Sequence, residues 1–142
     1  MKGKDRYLLD TSALLAFTDN EEGASAVQKI LEDAKNKKLA VYISAMSLME
    51  LYYVTCREMG EDAAMQMILL TRSLPVTELP LSDDLIVPAG DLKARYQISV
   101  ADAWIAATAG REGLTLLHKD PEFEPLKEEL DVQELPYKSR RA

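Results

Sequence analysis

Short apolar runs set between stretches of helical periodicity leave this chain few ways to fold. Tyr7–Asp10 shows no alternation of apolar and polar residues, the mark of a strand covered on both faces, and Ala40–Ile43 and Thr115–Leu117 read as further strands. Val76–Leu79, bracketed by Pro75 and Pro80, reads as a short strand, and Val132–Leu135 as an edge strand. Glu21–Lys37 carries Ala24, Val27, Ile30, Leu31 and Ala34 at helical spacing. Further helices are expected at Ser12–Thr18, Ala45–Met59, Glu61–Ser73, Asp83–Tyr96 and Ala101–Arg111, with a short one at Pro121–Leu126. Gly60 and Gly113 stand where helices stop, and Pro88 should kink or restart its helix. Strands alternating with helices imply right-handed crossovers and a mostly parallel sheet. The expected class is α/β, a three-layer α/β/α sandwich built as a single domain over residues 1–142.

Four acids sit where strands hand over to helices. Asp10 ends the first apolar run, Glu50 lies early in the segment after Ala40–Ile43, Asp102 opens a helix, and Asp120 follows Leu114–Leu117. In a parallel sheet such strand ends emerge on one edge, where open α/β sheets place their sites. Crowded carboxylates repel one another unless protons or cations neutralise them, so the pattern suggests a metal site.

Local capping explains Asp120 and Asp102 well, Asp10 partly and Glu50 poorly. Asp120-Pro121 is a common helix start, and Ser99-Val100-Ala101-Asp102 fits a capping box. Asp10 can cap the helix after it. Ser44 is a better cap than Ser47 for the segment from Ala45, which leaves Glu50 beyond the first turn without a capping role. Capping and metal binding are compatible, because a helix N-terminus holds a carboxylate ionised. Converging carboxylates with no Cys or His cluster suggest Mg²⁺ or Mn²⁺ rather than zinc. The fitting chemistry is phosphodiester hydrolysis, in which the cation lowers the pKa of an attacking water and neutralises charge on the leaving oxygen.

The formal charge of −7 argues against generic nucleic-acid binding, which relies on a basic footprint. Acids gathered around a cation would not count as free charges, however. The basic tail Lys138-Ser139-Arg140-Arg141 could touch phosphate, but residues 136–142 are expected to fray as chain ends do. The lone Cys56 excludes an internal disulfide and is expected in the core. No apolar run approaches the roughly 20 residues that cross a bilayer, and the N-terminal segment lacks the apolar core of a signal peptide. A cytoplasmic protein with no membrane partner is the expectation. Met46, Met49, Met59, Met65 and Met67 fit a partner groove about as well as a core. Trp104 is expected in the core or an interface, and Asp83-Asp84 as capping residues.

Leu8-Leu9-Asp10-Thr11-Ser12-Ala13-Leu14-Leu15-Ala16-Phe17 resembles the opening motif of PIN-domain nucleases. Ser44–Leu51, Ile98–Ala107 and Leu117-His118-Lys119-Asp120-Pro121-Glu122-Phe123 resemble the remaining three, in the family's order and over nearly the whole chain. The length is similar to that of VapC-type toxins. The resemblance implies a five-stranded parallel sheet, a negatively charged pocket, and an Mg²⁺- or Mn²⁺-dependent endoribonuclease that cuts single-stranded regions of RNA. It also implies a toxin, usually a homodimer, held inactive by a small cognate antitoxin. Carried onto this chain, Asp10, Glu50, Asp102 and Asp120 would be catalytic and hold the metal directly or through water. Ser12 would orient Asp10, and Glu122 would add an outer contact.

His118 departs from the family, which often has Thr or Ser there; it is either packed or an aid to proton transfer. Arg72, Lys93 and Arg95 are candidates for RNA phosphate contacts. The alternatives are a non-catalytic PIN-type RNA-binding or interaction module, whose mark would be a lost acid, and an RNA-processing nuclease without a toxin role. A phospho-acceptor domain would carry an acidic pair at the first strand end, where this chain has Asp10-Thr11-Ser12.

Overall fold

Five short strands pair in the order β3-β2-β1-β4-β5, every neighbouring pair parallel. They are β1 (Arg6–Leu9), β2 (Ala40–Ser44), β3 (Thr77–Leu79), β4 (Thr115–His118) and β5 (Val132–Glu134). The helices are α1 (Thr11–Thr18), α2 (Ala24–Lys35), α3 (Ala45–Met59), α4 (Glu61–Ser73), α5 (Ile86–Arg95) and α6 (Val100–Glu112), with 3₁₀ turns at Asp83–Leu85 and Pro121–Glu128. This computed structural model describes residues 5–137, so of the tail expected to fray at 136–142 the basic part, 138–142, lies outside the described residues.

The strands are too short to bury much alone, and side-chain alternation shares them between two cores. Leu8 and Leu116, paired in register, face one side with half-buried Tyr42, and meet α5, α6, Phe123 and Leu126. Leu9, Ile43 and Leu117 face the other side with Val41, and meet α1, α2 and α3. Leu8, Leu9, Leu116 and Leu117 are fully buried, as strands covered on both faces require. The expected sandwich is therefore present, with the sheet as its middle layer.

Phe123 has no exposed surface and its ring lies 5.2 Å from that of His118, so one side chain anchors the segment after β4. Phe123→Ala is expected to cost about 3–5 kcal/mol, read in urea as a lower midpoint with the slope unchanged. An unchanged midpoint would mean that the segment is held by something else.

Three boundaries differ from expectation, each for a local reason. Helix α2 begins at Ala24, not Glu21, because Gly23 takes φ of 97°, a left-handed turn that ends the loop just before the helix. Pro88 falls in the first turn of α5, where its missing N–H has no partner to lose, so it restarts the helix instead of kinking it. The segment after Asp120 is a 3₁₀ turn with Pro125 inside it, not an α-helix. Asp83 and Asp84 make no capping hydrogen bond; Asp84 pairs with Arg111 at 2.7 Å instead. Cys56 is half-buried on α3 and not in the core.

The order of strands has one consequence for function. From β1 the chain moves outward to β2 and β3, then crosses back to place β4 on the other side of β1. The reversal opens a crevice at the carboxyl ends of β1 and β4. Asp10 follows β1 and Asp120 follows β4, so both stand at its mouth.

Candidate metal centre

Asp10, Asp102 and Asp120 are delivered by helix starts, and Glu50 by α3 beyond its first turn. Asp10 caps α1: its Oδ1 accepts the Ala13 N–H at 2.9 Å. The Ser12 hydroxyl donates across both Asp10 oxygens, at 2.7 and 2.8 Å, and accepts the Lys119 N–H at 2.8 Å. One serine thus orients Asp10 and ties α1 to the segment leaving β4. Asp120 caps the following 3₁₀ turn, its Oδ1 accepting the Glu122 N–H at 3.0 Å. Ser99 caps α6 by accepting the Asp102 N–H at 3.1 Å, and Ser44, not Ser47, caps α3. Because α6 leads back into β4, its N-terminus lies at the same sheet edge as the strand ends. The local capping explanations hold for Asp10 and Asp120, and for the backbone of Asp102 but not its carboxylate.

Asp10, Glu50, Asp102, Asp120, Ser12 and Glu122 all line one cleft of about 320 Å³, with Leu15 and Val54 as an apolar wall. Within it, Asp102, Asp120 and Glu122 each bring a ligand atom to within 4.8 Å of the others. Asp10 and Glu50 line the cleft without joining that trio. Glu122, expected as an outer contact, stands in the trio because the 3₁₀ turn carries it round beside Asp120.

Burial and crowding make this cleft electrostatically costly. Burial pushes the carboxyl of Asp10, 2% exposed, up to about 7, against the lowering effect of its hydrogen bonds from Ser12 and Ala13. Asp102 also rises to about 7, first through burial and then through the charges of Asp10, Asp120, Glu50 and Glu122. Its carboxylate accepts no hydrogen bond among the described residues. A group so placed gains from a cation. The donors are all oxygens, which fits Mg²⁺ or Mn²⁺ and disfavours zinc.

His118 turns away from this chemistry. Its Nδ1 accepts the Asp120 N–H at 3.2 Å, its ring packs on Phe123, and only 1% of it is exposed. Burial holds the imidazole below its ordinary pKa, so it is neutral at pH 7 and shapes the turn that presents Asp120. Two of the proposed phosphate contacts are already engaged: Arg72 with Glu78, and Arg95 with Asp91 and Glu129. Lys93 lines a groove between α5 and α6, away from the acids.

Sequence reasoning passed over Thr11. Its hydroxyl lies 2.5 Å from Glu50 Oε1, a contact spanning 39 positions of sequence. The only sequence signal was a second hydroxyl beside Asp10, with nothing to say which acid it would meet.

A family model described as PIN domain matches residues 7–129. Among solved structures, the chain is similar to one in VapBC2 from Rickettsia felis bound to a DNA fragment from their promoter, with a TM-score of 0.73 and 20% identity over 92% of this chain and 99% of that one. DNA-bound VapBC from Salmonella typhimurium gives 0.72 and 18%, over 91% and 97% of the two chains. Mycobacterium tuberculosis VapC20, described as a sarcin-ricin loop cleaving toxin, gives 0.67 and 22%, over 84% and 94%. At these identities the likeness is one of fold. A comparison with curated proteins found no match.

Proposed function

This chain belongs to the PIN-domain family, and on that premise we propose that it is a metal-dependent endoribonuclease. It is a single-domain enzyme whose substrate is single-stranded RNA, whose cation is Mg²⁺ or Mn²⁺, and whose role is that of toxin in a toxin–antitoxin pair. The observation that carries this reading is the convergence of Asp102, Asp120 and Glu122 in an oxygen-lined cleft shared with Asp10 and Glu50. A bare carboxylate cluster is self-repelling, and its most economical use is to hold a cation against a phosphodiester.

When bound, the cation supplies an attacking water with a lowered pKa and neutralises negative charge gathering on the phosphate. The chain's own residues then divide the work. The carboxylates of Asp102 and Glu122 accept no hydrogen bond among the described residues and are free to ligate; Asp120 keeps one oxygen on the Glu122 amide and offers the other. Asp10, fixed through both oxygens by Ser12, contributes a rigid negative charge at the floor of the cleft. Leu15 and Val54 exclude water along one wall, which strengthens every interaction with the charged centre.

Labelled single-stranded RNA is expected to be cut in Mg²⁺ or Mn²⁺, not in EDTA, and again when Mn²⁺ is restored. Cleavage that persists in EDTA would remove the metal from the reading.

Two apolar faces support the partner assignments. Met49, Met59, Met65, Leu69 and Leu70 are about half exposed or more on α3 and α4, and Ile86, Val87 and Val100 are exposed around α5 and α6. Met46 and Met67 instead pack against the cores, and Trp104 is half-buried beside α5. A small antitoxin and a second copy of the chain would cover these faces. The similarity to chains from toxin–antitoxin complexes supports the first partner. The RNA substrate places the protein in the cytoplasm; no helix among the described residues is long and apolar enough to cross a membrane.

A further inference from the structure

We propose that Thr11 is a positioning residue for Glu50, so that the opening motif serves two acids rather than one. This rests on the metal-cleft reading above. Glu50 is half-buried and its side chain has three torsions, yet the Thr11 hydroxyl is the single hydrogen-bond partner of its carboxylate among the described residues. At 2.5 Å the contact falls in the range of a hydroxyl donating to an ionised carboxylate.

The proton count sets the direction of the whole chain. Thr11 has one hydroxyl proton, and an ionised Glu50 can only accept. The 3.1 Å contact between Thr11 Oγ1 and Ser47 Oγ is therefore one in which Ser47 donates and Thr11 accepts. Ser47 is fully buried on α3, one turn before Glu50. The relay runs from Ser47 through Thr11 to Glu50, pinning the start of α1 to the middle of α3. Thr11 suits the post because its branched Cβ leaves few χ1 rotamers.

The neighbouring hydroxyl cannot substitute. Ser12 already donates across both oxygens of Asp10 and accepts the Lys119 N–H. Consecutive residues at a helix start project about 100° apart, so positions 11 and 12 address different acids. Asp10-Thr11-Ser12 is thus one capping carboxylate followed by two orienting hydroxyls.

The test is Mn²⁺ affinity, measured by calorimetry on purified full-length protein, with cleavage of labelled single-stranded RNA followed in parallel. Thr11→Val keeps the shape and removes the hydroxyl; it is expected to weaken Mn²⁺ binding about 10- to 100-fold. Thr11→Ser keeps the hydroxyl and should restore binding to within about threefold of wild type, whereas a packing role would make it the worse variant. Should Thr11→Val fold poorly, Ser47→Ala reads the relay from its far end, with a fall of about 2- to 10-fold. Wild-type affinity in a folded Thr11→Val or Ser47→Ala protein would overturn the proposal, as would equal losses in the Val and Ser variants or a wild type that binds no Mn²⁺. Mn²⁺ binding that responds to Thr11→Val in a protein that cuts no RNA would uphold the proposal and remove the nuclease reading. A cutting enzyme indifferent to Thr11→Val would do the reverse.

Discussion

Asp102→Asn is expected to abolish RNA cleavage and, in the same molecule, to stabilise the metal-free fold. The first effect follows from the trio of Asp102, Asp120 and Glu122, in which Asp102 is the buried member and its carboxylate accepts no hydrogen bond among the described residues. An amide keeps the shape but loses the charge that balances a divalent cation. The fall in kcat/KM should exceed the roughly 100-fold typical of losing an outer partner of a metal ligand. The second effect follows from crowding. At pH 8 Asp102 is ionised among Asp10, Asp120, Glu50 and Glu122, in a site whose burial opposes any charge. Asparagine removes that repulsion, and a gain on the order of 1 kcal/mol, or about 2–4 °C in Tm, is expected in EDTA. Calorimetry at pH 8 and pH 5 separates causes, because the gain should shrink at pH 5, where the folded protein protonates Asp102 anyway. Unchanged cleavage would mean the site is misplaced; a lower Tm would make Asp102 a structural group.

The reach of each interaction along the chain decides which parts of the molecule could be read from the sequence. Caps are local, so Ser44 and Ser99 were legible from the residues just after them, and each caps its helix as expected. The first strand was legible because burial on both faces leaves a continuous apolar run, and the five-stranded parallel sheet follows the alternation of elements. Their spatial order was not. The pairing of Leu8 with Leu116 spans the chain, and nothing local to β1 announces β4 as its neighbour.

Within the site the same division holds. The hydroxyl of Ser12 reaches an acid two residues away and was anticipated; that of Thr11 reaches one 39 residues away and was not. Glu122 was given an outer contact by the family resemblance, and the sequence of its short helix did not tell how a 3₁₀ turn sets it beside Asp120. The methionines could be assigned to core or surface only once α3 and α4 were seen to leave Met49, Met59 and Met65 uncovered.

The affinity for Mn²⁺ is expected to fall up to about 100-fold between pH 8 and pH 6, because protons and the cation compete for the same buried charge. Asp10 and Asp102 both stand near 7 without a cation, so below that pH each must lose a proton before the site can act as a full acceptor. The two groups interact, and their protons belong to the pair. Calorimetry across that range should show the logarithm of the dissociation constant steepening below pH 7 toward a slope of two per pH unit. For stability the sign is opposite in the metal-free protein. A carboxyl raised from 3.8 to about 7 favours the fold fully below 3.8, and that contribution is lost as pH rises through 7. Metal-free protein should therefore lose Tm from pH 5 to pH 8, while protein saturated with Mn²⁺ should gain it. Affinity that stays flat from pH 8 to pH 6 would mean the cation is held without ionising either buried acid. Half-buried Asp120 and exposed Glu122, with Glu50, would then carry the site.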